Sequence, residues 1–161
     1  MKHITFIILF IFSIINANEL INKSFSFNSH HSTFKILSDS LYYIISNSSD
    51  EKYINKRGAI LTLDKLGNMT NFTEIGTINN YIISGIKVED EHLLLTGYSQ
   101  KNEEWSQIYL AKINKKMEIV WEENYGSFNN DNKGYAVTQL NNNGYWVLGH
   151  TKASKNGVLL L

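Results

Sequence analysis

The chain contains neither cysteine nor proline among its 161 residues. Without cysteine it has no disulfide bonds, no thiolate metal ligands and no cysteine nucleophile. A lipid anchor attached to a cysteine after a signal peptide is excluded for the same reason. A domain of this size must therefore be stabilised by apolar burial and by sheet hydrogen bonds.

An excess of charge of either sign is also absent, because Lys plus Arg and Asp plus Glu both number 15. The lack of a basic excess argues against a nucleic-acid partner, and the lack of a charge run argues against an anionic membrane surface. The sequence has no Gly-x-Ser-x-Gly elbow, phosphate-binding loop, His-x-His pair or acidic calcium loop. We therefore predict no enzyme activity, no catalytic residue, no metal site and no cofactor.

The N-terminus has the order of a secretory signal peptide. Basic Lys2 precedes an apolar run, Ile4–Ile15, and small Ala17 follows it. The run is shorter than the ~20 residues that a membrane-spanning helix needs. We predict a signal peptide over residues 1–17 and an exported protein that is secreted, periplasmic or at the cell surface. An uncleaved N-terminal membrane anchor is the alternative.

The rest of the sequence repeats itself at a period near 50. Leu37–Ser46 matches Val88–Gly97 at an offset of 51, and that segment matches Leu140–Gly149 at an offset of 52. Asn68–Gly76 matches Glu118–Gly126 at an offset of 50. A period of this length built from short strand-like runs predicts stacked β units such as propeller blades.

Each complete unit is predicted to have four strands joined by hairpins. In the second unit these are Tyr81–Val88, Leu93–Tyr98, Gln107–Ile113 and an outer, wetter Glu118–Tyr125. We predict an all-β partial propeller over residues 33–161, with units at about 33–80, 81–130 and an incomplete 131–161. Residues 18–32 form a lead-in that is either an extra strand or a loose segment. We expect the chain to be the N-terminal piece of a longer protein.

Two segments resemble a repeat found in secreted bacterial and archaeal β-propeller proteins. Lys133–Thr151 is similar to the pattern GYSVIQTSDGGYIVAGYT, and Leu110–Gly126 is similar to WLIKLDSNGNVVWSKTYGG. The resemblance spans nearly all of residues 33–161 and implies a multi-bladed propeller, usually one module of a larger protein. Met117 replaces the turn glycine of the pattern, which suggests decay of the repeat. The residues that mark the repeat are structural: Gly76, Gly97, Trp121, Gly126, Gly144 and Gly149.

Few side chains are candidates for function. Trp105 lies in a hydrophilic loop that the repeat does not require, and it is a candidate contact for a protein or glycan partner. His150 ends a strand and is a weaker candidate for the same role. Trp121 and Trp146 are interpreted as packing between units. His30 and His31 point to opposite faces of an extended chain, so they are not expected to share a metal.

Three functions remain open from the sequence. The first is a non-catalytic module for protein or glycan binding or for surface display, since propellers expose loops on two faces. The second is a fragment of a propeller enzyme, of the quinone-cofactor dehydrogenase or lyase type. The third is a gene remnant without an independent role.

Overall fold

The computed structural model describes residues 30–38, 40–49, 56–77, 79–100, 105–127, 129–141, 144–152 and 157–160. These residues form eleven strands and one short 3-10 helix, so the predicted all-β class is confirmed. The predicted signal peptide lies outside the described residues, as does the part of the lead-in before His30.

The strands follow one another as three antiparallel meanders. The first meander contains β1 (His30–Ser38), β2 (Tyr42–Ser49), β3 (Lys56–Leu63) and β4 (Met69–Ile75). The second contains β5 (Asn80–Lys87), β6 (Leu93–Gln100), β7 (Ser106–Ile113) and β8 (Ile119–Tyr125). The third contains β9 (Asn132–Gln139), β10 (Tyr145–Thr151) and β11 (Gly157–Leu160).

Strand boundaries differ from the prediction in small ways. β1 begins at His30, so the last three residues of the predicted lead-in belong to a strand. The connection between β5 and β6 contains the 3-10 helix Glu89–Glu91. The outer strand β8 is largely exposed, as predicted for the fourth strand of a unit.

Consecutive meanders meet in the same strand register. β3 and β5 share the parallel pair Arg57–Asn80, through which the first two meanders join as one eight-stranded sheet. Between the second and third meanders, Ser106 and Asp131 form a parallel bridge one residue before the positions equivalent to Arg57 and Asn80 on both strands. We call these two contacts between meanders the first and second joints, and the register of the strands is the same at both.

The core is divided between these joints. One buried cluster lies between the first and second meanders and includes Tyr43, Ile45, Ile82 and Leu95. Another lies between the second and third meanders and comprises Val88, Leu94, Ile108, Leu110, Val137 and Val147. Because side chains of a strand alternate between faces, β6 serves both clusters, with Leu95 on one side and Leu94 on the other. Each meander thus buries its apolar side chains mainly against its neighbours.

The turn between the third and fourth strands is built identically in the first two meanders. Asp64 Oδ1 accepts hydrogen bonds from the backbone N–H groups of Leu66 and Asn68, at 2.9 and 2.8 Å. Fifty residues later, Asn114 Oδ1 accepts hydrogen bonds from Lys116 and Glu118, at 2.8 and 3.0 Å. A side-chain acceptor that bonds the backbone two and four residues ahead fixes this turn locally.

The backbone at Met117 has the left-handed conformation expected of the glycine that it replaces. Its φ of 64° matches the φ of 77° at Gly67, the equivalent position of the first meander. The Met117 side chain is buried in the cluster between the first two meanders. Met117 therefore adopts a left-handed backbone conformation, and its side chain fills space between the first two meanders.

Candidate functional site: the connection edge

The last residues of the second strands and the first residues of the third strands lie at one edge of the sheets. This follows from the antiparallel order, in which the ends of β2, β6 and β10 lie beside the starts of β3, β7 and β11. We call it the connection edge. The opposite edge carries the tight hairpin turns, and we call it the hairpin edge.

Both predicted partner-contact residues lie at the connection edge. Trp105 directly precedes β7, and its side chain is 36% exposed. His150 is half-buried near the end of β10 and pairs with Lys133 across the sheet. The bridge between Ser106 and Asp131 ties the start of β7 to the third meander, so residues from two meanders meet here.

Asp131 is the polar centre of this junction. Its carboxylate accepts a 2.6 Å hydrogen bond from Ser106 Oγ and a 3.1 Å ion pair from Lys133 Nζ. Burial alone would raise the pKa of Asp131, but those two hydrogen bonds and the charges of Lys133 and His150 outweigh burial and lower the pKa. The junction therefore keeps a carboxylate charged beside two basic side chains.

A ladder of two tyrosines between two lysines spans all three meanders at the connection edge. Tyr81 and Tyr98 of the second meander stack with ring centroids 4.4 Å apart and an angle of 8°. Lys56 Nζ of the first meander lies 5.7 Å from the Tyr81 ring, and Lys133 Nζ of the third lies 5.1 Å from the Tyr98 ring. Both distances are within the range of cation–π attraction. The tyrosine faces are thereby covered, so the ladder fastens the meanders and is not a free stacking platform.

Burial changes the acidity of these phenols. It raises the pKa of Tyr81, and it is the main cause that raises the pKa of Tyr98 to about 12. The neighbouring Tyr81, Asp131 and Tyr135 add to the Tyr98 shift because a phenolate at Tyr98 would be repelled by the charged forms of these acidic groups. Both rings are therefore neutral across the physiological pH range.

A buried asparagine lies at each joint, next to the connection edge. Asn132 Nδ2 donates to the carbonyl oxygens of Ser106, Ser127 and Asn130 at 3.0, 3.1 and 3.3 Å. Asn80 is the equivalent residue 52 positions earlier and is equally buried, but its Oδ1 has no hydrogen-bond partner. A glycine at positive φ precedes each of these asparagines along the chain, namely Gly76 with φ 76° and Gly126 with φ 100°.

The remaining repeat markers occupy structural positions. A Cβ on Gly97 would collide with the carbonyl oxygen of Tyr81, and a Cβ on Gly149 would lie 2.6 Å from that of Lys133. The carbonyl of Gly144 accepts a hydrogen bond from Leu140 N–H at 2.8 Å across the first hairpin of the third meander. Trp121 packs on Tyr145 of the next meander with centroids 5.7 Å apart, which agrees with its interpretation as inter-unit packing.

Trp146 differs from that interpretation. Its side chain is 53% exposed on the outer side of the third meander. The sequence places it mid-strand in a repeat, where packing is expected, but packing requires a neighbouring unit on that side.

Two kinds of feature are absent from the described residues. Within those ranges, no three His, Asp or Glu side chains are grouped so as to hold a metal ion. No described helix is long and apolar enough to cross a membrane.

The residues that fasten the edge were not singled out by sequence reasoning. Asn80 and Asn132 share a repeat position, and so do Tyr98 and His150, so an alignment of the units would have indicated joint positions. The pairing of Tyr81 with Lys56 and of Tyr98 with Lys133, each from another meander, carries no local sequence signal.

Comparisons with known proteins give no further assignment. No protein-family model matches the chain, and no curated protein matches it.

Proposed function

We propose that this chain is an exported, non-catalytic β-propeller module that binds a protein or a glycan at its connection edge. The observation that carries the proposal is the repetition of one joint. The parallel pairs Arg57–Asn80 and Ser106–Asp131 give the two joints the same strand register, which supports a constant step between meanders. Units added by a constant step form a ring or solenoid, and they bring equivalent connections to one side.

The connection edge supports the binding role because its composition suits recognition. Trp105 supplies an exposed aromatic surface with low conformational freedom, of the kind that dominates many interfaces. Lys56, Asp131 and Lys133 supply donors and acceptors held in fixed positions by the tyrosine ladder and the Ser106 hydrogen bond. Loops carried on a rigid scaffold are where proteins commonly place binding residues.

The binding role is tested with a matched pair of variants. The labelled chain is applied to an array of glycans and to extracellular proteins, and the affinity for any bound species is then measured for Trp105→Ala and Leu66→Ala. Leu66 is 69% exposed on the hairpin edge and controls for the loss of an exposed apolar side chain. Loss of a hot-spot tryptophan costs about 2 kcal/mol, which is roughly a 30-fold weaker affinity. Equal effects of the two changes, or no bound species, would refute the role.

Export and ring architecture have separate tests. The chain is produced with its N-terminus intact in a secreting host, and we expect the first residue of the released protein to be Asn18. Retention in the membrane with residues 1–17 attached would support the anchor instead. A crystal structure in which successive meanders do not rotate about a common axis would overturn the propeller proposal.

A further inference from the structure

Asn-X-Ser/Thr motifs occur at four places in the chain, namely Asn22, Asn47, Asn68 and Asn71. In an exported protein this motif is an acceptor for an N-linked oligosaccharide when its asparagine lies on the surface. The four asparagines share this chemistry, and their places in the fold decide which of them can use it. Asn22 lies outside the described residues.

Asn47 is excluded by its place in the first joint. Its side chain is buried, and both of its amide atoms bond the backbone of Ile82, with Nδ2 to the carbonyl oxygen and Oδ1 to the N–H group, each at 2.8 Å. A sugar on Nδ2 would need the space in which β5 packs. A chain that carried a sugar on Asn47 could therefore not form this joint.

Asn68 and Asn71 are both exposed, but their amide groups differ in how they are used. Nδ2 of Asn68 donates to Asp64 Oδ2 at 2.9 Å in the turn before β4, and the hydroxyl of Thr70 in the same motif donates to the carbonyl oxygen of Thr62 at 3.1 Å. The side chain of Asn71 makes no hydrogen bond to another described residue. Asn71 is therefore the best-placed acceptor of the two.

The strand that carries Asn71 has an open edge with little charge. Among the described residues β4 pairs with β3 alone, so the backbone groups on its other side face away from the sheet. Such an edge can pair with another chain, and charged side chains commonly prevent this. β8, the equivalent strand of the second meander, has two exposed glutamates, one of which is Glu123. β4 has Thr73 at that position, and its one charged residue, Glu74, is paired with Arg57 at 3.1 Å.

We propose that Nδ2 of Asn71 is the acceptor for an N-linked oligosaccharide, which covers the outer edge of β4. The donor is an oligosaccharide carried on a lipid diphosphate. Nδ2 forms a bond to the anomeric carbon of the first sugar as the bond from that carbon to the diphosphate oxygen breaks. The diphosphate leaves with the electron pair of that bond, and the amide loses one proton. This modification rests on the proposed function, because only an exported chain meets such a donor.

The site is tested by expression in a eukaryotic host that secretes glycoproteins. One version of the chain keeps its own N-terminus, and a second has the host's signal peptide in place of residues 1–17. Enzymatic release of the sugar converts a modified Asn to Asp, which peptide mass spectrometry detects. We expect the released protein to be modified at Asn71 and unmodified at Asn47. Thr73→Val should remove the sugar from Asn71, whereas Thr73→Ser, which preserves the motif, should keep it.

Coverage of the edge is tested by sedimentation of the released proteins at rising concentration. Thr73→Glu lacks the sugar but places on β4 the charge that Glu123 supplies on β8, so it should stay monomeric, as should the modified parent. Thr73→Val lacks both the sugar and the charge, and it should associate. Equal dispersion of these two variants would overturn the role of the sugar at the edge.

The outcomes for the acceptor and for export are separate. Released protein without a sugar on Asn71, or with a sugar on Asn47, would overturn the assignment of the acceptor. If only the version with the host's signal peptide leaves the cell, the proposed export by residues 1–17 fails, and the second version still decides whether Asn71 is modified.

Discussion

Asn47 links the first and second meanders through two buried hydrogen bonds. Its Nδ2 donates to the carbonyl oxygen of Ile82, and its Oδ1 accepts from the N–H of Ile82, both at 2.8 Å. Ile82 lies in β5, and both residues are buried. One amide side chain therefore substitutes for a neighbouring strand and satisfies two backbone groups away from water.

Replacement of Asn47 by Ala removes both bonds and leaves the Ile82 N–H and C=O unpaired in the joint. Each buried unpaired group costs about 1–3 kcal/mol. Partial relaxation and entry of water would reduce the sum, so we expect a loss of about 2–4 kcal/mol in the free energy of unfolding. Urea denaturation followed by far-ultraviolet circular dichroism measures the loss. Asn124→Ala, at an exposed position of β8, is the control and should change stability by less than about 0.5 kcal/mol.

The pH dependence of the stability of Asn47→Asp tests the same two hydrogen bonds. A carboxylate still accepts from the Ile82 N–H but repels the Ile82 carbonyl, whereas a protonated carboxyl group can donate to it. Burial raises the pKa of such an Asp in the folded state above its unfolded value of about 3.9. The stability that it contributes is therefore present below the unfolded pKa and is lost as pH rises through the folded pKa. The reasoning is refuted if Asn47→Ala costs no more than Asn124→Ala, or if Asn47→Asp becomes less stable relative to the parent as pH falls from neutral.

Three other predictions follow from the joints and the ladder. Met117→Gly relieves a left-handed backbone but removes a buried side chain, so we expect a net loss of about 1–3 kcal/mol in urea denaturation; a gain in stability would show that the side chain does not fill the joint. Gly97→Ala drives a Cβ into the Tyr81 carbonyl and should lower the melting temperature strongly, whereas an unchanged melting temperature would contradict the close approach of β5 and β6. Tyr98 should ionise near pH 12, as seen in the difference between ultraviolet titrations of the parent and Tyr98→Phe. Since its folded pKa is raised above the unfolded value of about 10, its contribution to stability is present below pH 10 and is lost as pH rises toward 12.

The strands of the second meander could be predicted from sequence because their signals are local. The predicted and observed limits of β6 and β7 differ by at most two residues, Leu93–Tyr98 against Leu93–Gln100 and Gln107–Ile113 against Ser106–Ile113. Apolar runs bounded by polar turns set these limits, and the repeat then placed the equivalent strands in the other units.

The side-chain contacts that hold neighbouring meanders together could not be predicted in the same way. The bond between Asn47 and Ile82 joins residues 35 positions apart, and it depends on how two sheets dock. Met117 illustrates a different error. The missing glycine was interpreted as decay of the repeat, but the backbone at Met117 has nearly the same φ as at Gly67. Trp146 illustrates a third kind of error. Whether a repeat position is buried depends on whether a neighbouring unit covers it.

The repeat position shared by Asn47, Tyr98 and His150 suggests how units of similar sequence keep their order. At the first joint Asn47 bonds the backbone of Ile82, whereas at the second Tyr98 stacks on Tyr81 and lies beneath Lys133. Any first strand offers the backbone groups that Asn47 bonds, whereas the second joint needs a lysine at the position where β5 carries Tyr81. Placing the second meander against Tyr98 would therefore leave that ring without its lysine, which is unfavourable. The common strands supply a generic stacking surface, while the residue at this one position adds a different contact to each joint.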